Sequence, residues 1–320
     1  MDLEQEVDIC TTSRQAAACI LRRSFAILRL DSPTAKSMER SWLAAQHFFA
    51  CADDEGPTLT IQKYRRVHNR SLFGYNVPTD AKQLFRSMCS DGSRDIQPWP
   101  DDLDGGELRR SSIDAASRLH ALLIDCLGEL NAAVAGIEEA CAGQTPTTCT
   151  RSSSRKRQRL SPPTEVIADK HNTNCNLSIP RSMNEAQYCP LDYFLYTNKD
   201  SGNKEHVNCS EHIDQGVLIC VSLTDVPGLE VLCRESKRYV CPELISKGEA
   251  LVGERRIGCS DLVCVMAGDQ LKEILRKGED TRTRMLNTNA CVHRVRNRLE
   301  RARLSITYEL RGEVFSLASE

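Results

Sequence analysis

The sequence predicts an α+β chain, with helices gathered in its first half and a sandwich or barrel of short strands in its second. Three observations carry this. Two long stretches before residue 140 set apolar residues at helical spacing. The second half breaks into short apolar or alternating runs separated by turn signals. A polar, Ser- and Thr-rich segment divides the two.

Bulk properties narrow the classes. The 320 residues suffice for one large domain or two small ones. Lys and Arg number 42 against 44 Asp and Glu, so no whole-protein field steers the chain toward nucleic acid or membrane. The opening "MDLEQEVDIC" is acidic and has no apolar signal core. No apolar run approaches the roughly 20 residues that span a bilayer. The expectation is a soluble, cytoplasmic protein. Its 16 cysteines include no Cys-x-x-Cys pair, which argues against a zinc ribbon or a thioredoxin site and for small reduced thiols.

The elements follow in order. "SFAILRL" (24–30) alternates and ends at Asp31, so it reads as a strand. Asp31 or Ser32 can cap the next helix, and Pro33 suits its first turn. Met38, Trp42, Ala45 and Phe49 then share one face. A second long helix runs from about Ser112 to Ile137, with Leu119, Leu123, Leu127, Leu130 and Val134 in its stripe. His47 and His120 lie within these helices and read as structural or solvated. From about 143 to 180 the chain is poor in large apolar residues and reads as a disordered insert. Its basic run at 151–159 offers nuclear import as the alternative to a cytoplasmic location. Strands are then expected at 191–198, 216–223, 228–233, 261–267, 289–295 and 303–311. The expected division is 1–142 as a helical region with a leading strand, 143–180 as the insert, and 181–320 as the strand-rich domain.

Chemistry concentrates in "CSEHIDQGVLICVS" (209–222). In a strand, His212 and Asp214 point the same way, and an imidazole and a carboxylate converging on one spot are costly to bury without a partner. A metal ion is one such partner, and His293 offers a third ligand. Two His and one carboxylate on one face of an octahedral ion leave three positions open. A chelating 2-oxo acid can fill two of them and dioxygen the third. Arg303, ten residues after His293, matches a carboxylate in a two-pronged geometry, and Ser305 follows at same-face spacing.

The ordered set "HID" (212–214), "PGLEV" (227–231), "GDQL" (268–271), "HRV" (293–295) and "RLS" (303–305) resembles the 2-oxoglutarate and Fe(II)-dependent oxygenases of the isopenicillin N synthase-like group. The resemblance covers about 190–311 and is fainter before it, in "AACILRRSFAILRLD" and "LFGYNVP". It implies a double-stranded β-helix, or jelly roll, with N-terminal helices packed outside. It also implies Fe(II) on His212, Asp214 and His293, and 2-oxoglutarate on Arg303, Ser305 and Tyr196. The implied activity is oxidation, by default hydroxylation, of a small organic substrate with release of succinate and CO2.

Departures keep two alternatives open. Phe194 stands where the family often has an Asn, and Thr197 where a Pro follows the Tyr. The separation of His212 and His293 is longer than usual, with the excess expected in surface loops at 245–258 and 276–288. A non-catalytic ligand-binding protein, or an oxidase that uses no 2-oxo acid, would keep the same fold. Family members that repair alkylated bases carry a second Arg six residues after the first. Here position 309 is Glu, which argues against a nucleic-acid substrate.

Overall fold

The computed structural model describes residues 7–68, 71–89, 97–104, 106–142, 176–186, 189–198, 207–249, 259–275, 290–298 and 301–315. The first half holds β1 (Ile9–Cys10), α1 (Ser13–Arg23), β2 (Phe25–Arg29), α2 (Ser32–Glu55) and α3 (Pro57–Tyr64). It continues with β3 (Arg65–His68), β4 (Ser71–Thr79), β5 (Lys82–Met88), α4 (Asp101–Asp104) and α5 (Glu107–Ala142). After the dividing segment come β6 (Asn176–Ser178), β7 (Pro190–Tyr196), β8 (Val207–His212), β9 (Leu218–Thr224), β10 (Leu229–Cys233) and β11 (Arg238–Val240). The chain then forms α6 (Pro242–Glu249), β12 (Cys259–Ala267), α7 (Leu271–Leu275), β13 (His293–Arg296), β14 (Arg303–Leu310) and β15 (Glu313–Phe315).

The helices form where local chemistry favours them. Thr12 caps α1 and accepts from the Gln15 amide, while the Gln15 side chain returns to the Thr12 amide. Asp31 caps α2 through the Thr34 amide at 2.9 Å, with Pro33 in the first turn. Met38, Trp42, Ala45 and Phe49 are buried on its inner face. The long helix α5 begins five residues before the expected Ser112. Among the described residues it is the helix long and apolar enough to cross a membrane. Its Leu108, Leu119, Leu123 and Leu130 are instead fully buried, and it packs on α1 and α2.

Two sheets stand over one another. The larger has the order β1-β2-β12-β9-β14-β7-β5-β4-β3, and the smaller β11-β10-β13-β8. One apolar cluster joins α1, α2 and α5 to the large sheet, with Phe48, Phe85, Tyr193 and Tyr308 among its members. A second lies between the sheets, where Ile219 and Val221 of β9 meet Leu229 and Val231 of β10. The layers are therefore helices, large sheet and small sheet, each interface sealed by apolar burial.

Four expectations need correction. The stretch 209–222 is two strands in different sheets, β8 and β9, joined by a corner at 213–217. Residues 65–88 form three strands that extend the large sheet. The sequence pattern hides them because β4 carries Gly74 and Pro78, and five of the seven residues of β5 are buried, so period-2 alternation is weak. The expected loop at 245–258 begins inside α6, whose Ile245 packs against the inter-sheet cluster. The expected insert ends in β6, which pairs with β15. Residues 143–175, the basic run included, and residues 276–289 lie outside the described residues.

Candidate functional site

His212 ends β8 and His293 begins β13, and the two are direct partners across this antiparallel pair. Their rings lie 4.2 Å apart between centroids. The register slips beside them, between His293 and Val295, an irregularity of the kind that re-aims a side chain at a site. Asp214 lies two residues beyond the strand, in the corner, and not on the strand face expected for it. It arrives nonetheless. Its Oδ1 is 3.4 Å from His212 Nε2, and its Oδ2 is 3.4 Å from His293 Nε2. The donor atoms of all three side chains lie within 4.8 Å of one another.

The outer nitrogens are anchored. His212 Nδ1 donates to the Ser210 carbonyl at 2.8 Å and His293 Nδ1 to the Cys291 carbonyl at 3.2 Å. A carbonyl only accepts, so both Nδ1 atoms carry hydrogen and both Nε2 atoms face Asp214. Hydrogen bonding to Asp214, with help from Cys209, lifts His212 to about 10. Burial outweighs the same carboxylate at His293 and moves that imidazole down. Two anchored imidazoles and one carboxylate, converging with open space beside them, fit a divalent first-row metal.

The corner that carries Asp214 is braced from β12 and its following turn. The Asp269 amide donates to the Asp214 carbonyl at 2.9 Å, and the Gly268 amide to the Val217 carbonyl at 3.0 Å. A Cβ on Gly268 would meet the Gly216 carbonyl oxygen at 2.0 Å, so only glycine fits this approach.

The three residues open onto a cavity of about 180 Å³ between the sheets. Its floor is a set of cross-strand rows on the large sheet. Arg303, Tyr196 and Lys82 make one row, Ser305, Phe194 and Leu84 the next, and Thr307, Asp192 and Arg86 a third. Arg303, Ser305 and Tyr196 are thus brought to the cavity and are almost fully buried. Gly228 permits the Arg303 position, since a Cβ there would press on Arg303 Cδ at 3.0 Å.

Charges beyond the sequence reading complete the lining. Arg303 Nη2 donates to Glu243 Oε1 of α6 at 2.8 Å, and the side chains of both residues are inaccessible to solvent. Arg303 Nε is buried without a hydrogen bond in the described structure. Arg86 grips Asp192 through two hydrogen bonds of 2.8 and 2.6 Å. Arg311 pairs with Glu309 at 2.6 Å. The Lys82 ammonium lies 4.4 Å from the Phe194 ring centre. A local signal exists for Lys82 and Arg86, which share a strand face with Leu84, once β5 is read as a strand. Glu243 has none, because no spacing ties "CPEL" to Arg303.

No family model and no curated protein matches the chain. Solved structures do. A full-length Neurospora crassa protein, in complex with alpha-KG and 5-formyluracil, superposes with a TM-score of 0.61 at 16% identity, over 94% of this chain and 78% of that one. The Arabidopsis thaliana dioxygenase for auxin oxidation 1, in its 2-oxoglutarate complex, gives 0.54 at 14%, over 96% and 94%. The rice dioxygenase for auxin oxidation gives 0.54 at 15%, over 93% and 76%. At these identities the likeness is one of fold. The chain has the fold of the 2-oxoglutarate and Fe(II)-dependent oxygenases that its motifs resemble.

Proposed function

We propose that the protein is an Fe(II)- and 2-oxoglutarate-dependent oxygenase that oxidises, by default hydroxylates, a small organic substrate with release of succinate and CO2. The observation that carries this is the convergence of His212 Nε2, His293 Nε2 and the Asp214 carboxylate at one side of a cavity floored by Arg303, Ser305 and Tyr196. We read the two facing sheets as those of a double-stranded β-helix, with 181–320 as its main body and 1–142 packed around it. A cytoplasmic site of action belongs to the same reading.

His212, Asp214 and His293 would hold the metal. Fe(II) bound there would supply the redox chemistry that activates dioxygen. The chain's own residues do the rest. The Ser210 and Cys291 carbonyls keep the imidazoles aimed. Arg303 and Ser305 offer donors to the far carboxylate of 2-oxoglutarate, and Tyr196 walls the space between. Leu229 and Val221 exclude water from the cavity's inner side.

One observation favours an alternative. Arg303 already donates to the Glu243 carboxylate, which leaves less of its charge for 2-oxoglutarate, and in an oxidase without a 2-oxo acid Arg303 and Ser305 would instead meet the substrate's own carboxylate. The deciding experiment measures anaerobic Fe(II) binding first and succinate formation from 2-oxoglutarate second. One Fe(II) per chain is expected, with affinity greatly reduced in His212→Ala and Asp214→Ala. Stoichiometric binding that survives both substitutions would remove the metal assignment. Iron binding without 2-oxoglutarate uptake would favour the oxidase.

A further inference from the structure

We propose that Lys82 is a second cation for the far carboxylate of 2-oxoglutarate, acting across Tyr196 from Arg303. This rests on the functional reading above and extends it to a residue outside the motif set.

Lys82 of β5 is the direct partner of Tyr196 of β7, and Tyr196 is the direct partner of Arg303 of β14. Residues directly opposite in antiparallel strands project from the same face. The three therefore form one row on the cavity floor, and all three line it. The two cations flank the same ring. Lys82 Nζ is 5.6 Å and Arg303 Cζ 5.8 Å from the Tyr196 ring centre. Phe194 supports the ammonium at 4.4 Å, a contact that holds a lysine in place without neutralising it.

Charge then separates Lys82 from the other basic residues of the lining. Arg86 is matched by Asp192, Arg311 by Glu309, and Arg303 by Glu243. Among the described residues no carboxylate lies within ion-pairing distance of Lys82. Part of the Arg303 charge is thus already committed to Glu243. A dianionic ligand entering this row meets its least compensated positive charge at Lys82. The near carboxylate and Asp214 would balance a dication at the metal, and the far carboxylate needs a further positive charge. Lys82 supplies it at the same level of the sheet as the guanidinium.

The test is calorimetric titration of the anaerobic Fe(II) protein with 2-oxoglutarate, and in parallel with 2-oxobutyrate, which lacks the far carboxylate. Lys82→Met is expected to weaken 2-oxoglutarate binding roughly 10- to 100-fold, the range of a charge-assisted hydrogen bond. Binding of 2-oxobutyrate should stay within about threefold by the same scale. Lys82→Arg should retain most of the 2-oxoglutarate affinity. Glu243→Gln frees Arg303, so Lys82→Met/Glu243→Gln should regain about a factor of ten over Lys82→Met alone. Fe(II) titration of each variant checks that the fold and metal site persist. Should Glu243→Gln fail to fold, the comparison of the two oxo acids in Lys82→Met decides alone. Unchanged 2-oxoglutarate affinity in Lys82→Met, or an equal loss for 2-oxobutyrate, overturns the proposal and leaves the oxygenase reading standing. Failure of the unaltered Fe(II) protein to take up 2-oxoglutarate overturns both.

Discussion

Arg303 has two claims on its guanidinium, and they separate experimentally. Its Nη2 is held by Glu243 with both side chains out of solvent, while its Nε is buried without a hydrogen bond and the side chain lines the cavity. Removing one partner of a buried ion pair costs about 3–5 kcal/mol. Arg303→Leu should therefore lower folding stability by about that amount, through the Glu243 carboxylate left behind. The same substitution should weaken 2-oxoglutarate binding by roughly two to three and a half orders of magnitude. Fe(II) affinity should change little, because Arg303 is not a ligand. Adding Glu243→Leu should restore much of the stability and none of the affinity for 2-oxoglutarate. Arg303→Lys should fall between, keeping charge and losing the two-pronged geometry. Denaturant titration and ligand titration of the same variants check this. Unaltered 2-oxoglutarate affinity in Arg303→Leu would confine the residue to a structural role. His212, Asp214, His293, Arg303 and Ser305 are legible in the sequence because each sits at a short, fixed spacing from another or within an ordered motif. Glu243 is not, because long-range folding alone brings it to the site, and the same-face spacing of Lys82 and Arg86 is hidden by the weak alternation of β5.

At the scale of elements, the corner between β8 and β9 decides where Asp214 lies. Sequence alone predicts a strand running through it, because "GVLICVSL" is continuously apolar and nothing in the pattern marks the point where the chain changes sheets. What fixes the corner is the close packing of other chain segments at Gly216 and Gly268. A Cβ at Gly216 would meet Glu309 Cγ at 2.6 Å, and one at Gly268 would overlap the Gly216 carbonyl. The apolar strands β9 and β12 are readable for the opposite reason. They are buried on both faces and bounded by turn residues. Gly268→Ala should push residues 214–217 away from β12 and displace the Asp214 carboxylate. Loss of such support around a metal ligand typically costs 10- to 100-fold in metal affinity. We expect that loss for Fe(II) with near-normal circular dichroism. Wild-type iron affinity in Gly268→Ala would show that the corner does not set the ligand geometry.

At the scale of the whole molecule, the polar segment divides the sequence more than it divides the fold. β2 of the first half pairs with β12, and β5 pairs with β7, so N-terminal strands flank the C-terminal strands of the large sheet on both sides. Buried polar contacts cross the same boundary. Trp42 Nε1 donates to the Leu304 carbonyl at 3.0 Å, Ser41 and Ser112 both bond the Tyr193 hydroxyl, and His120 meets the Tyr308 hydroxyl at 2.9 Å. Separating the halves would strand these groups and expose the apolar cluster they share. One cooperative transition is therefore expected. The chain supplies its own reporter, since both tryptophans, Trp42 and Trp99, lie in the first half and every proposed metal ligand lies in the second. A metal that binds only the folded state stabilises it by about 2.7 kcal/mol at a free concentration roughly 100 times Kd. In a single cooperative unit, Fe(II) should move the denaturant midpoint of tryptophan fluorescence and of far-ultraviolet circular dichroism by the same amount. His212→Ala should abolish both shifts together. A circular-dichroism midpoint that moves with iron while the tryptophan midpoint stays fixed would establish two independently folding units and return the boundary at 142–181 to a division of structure.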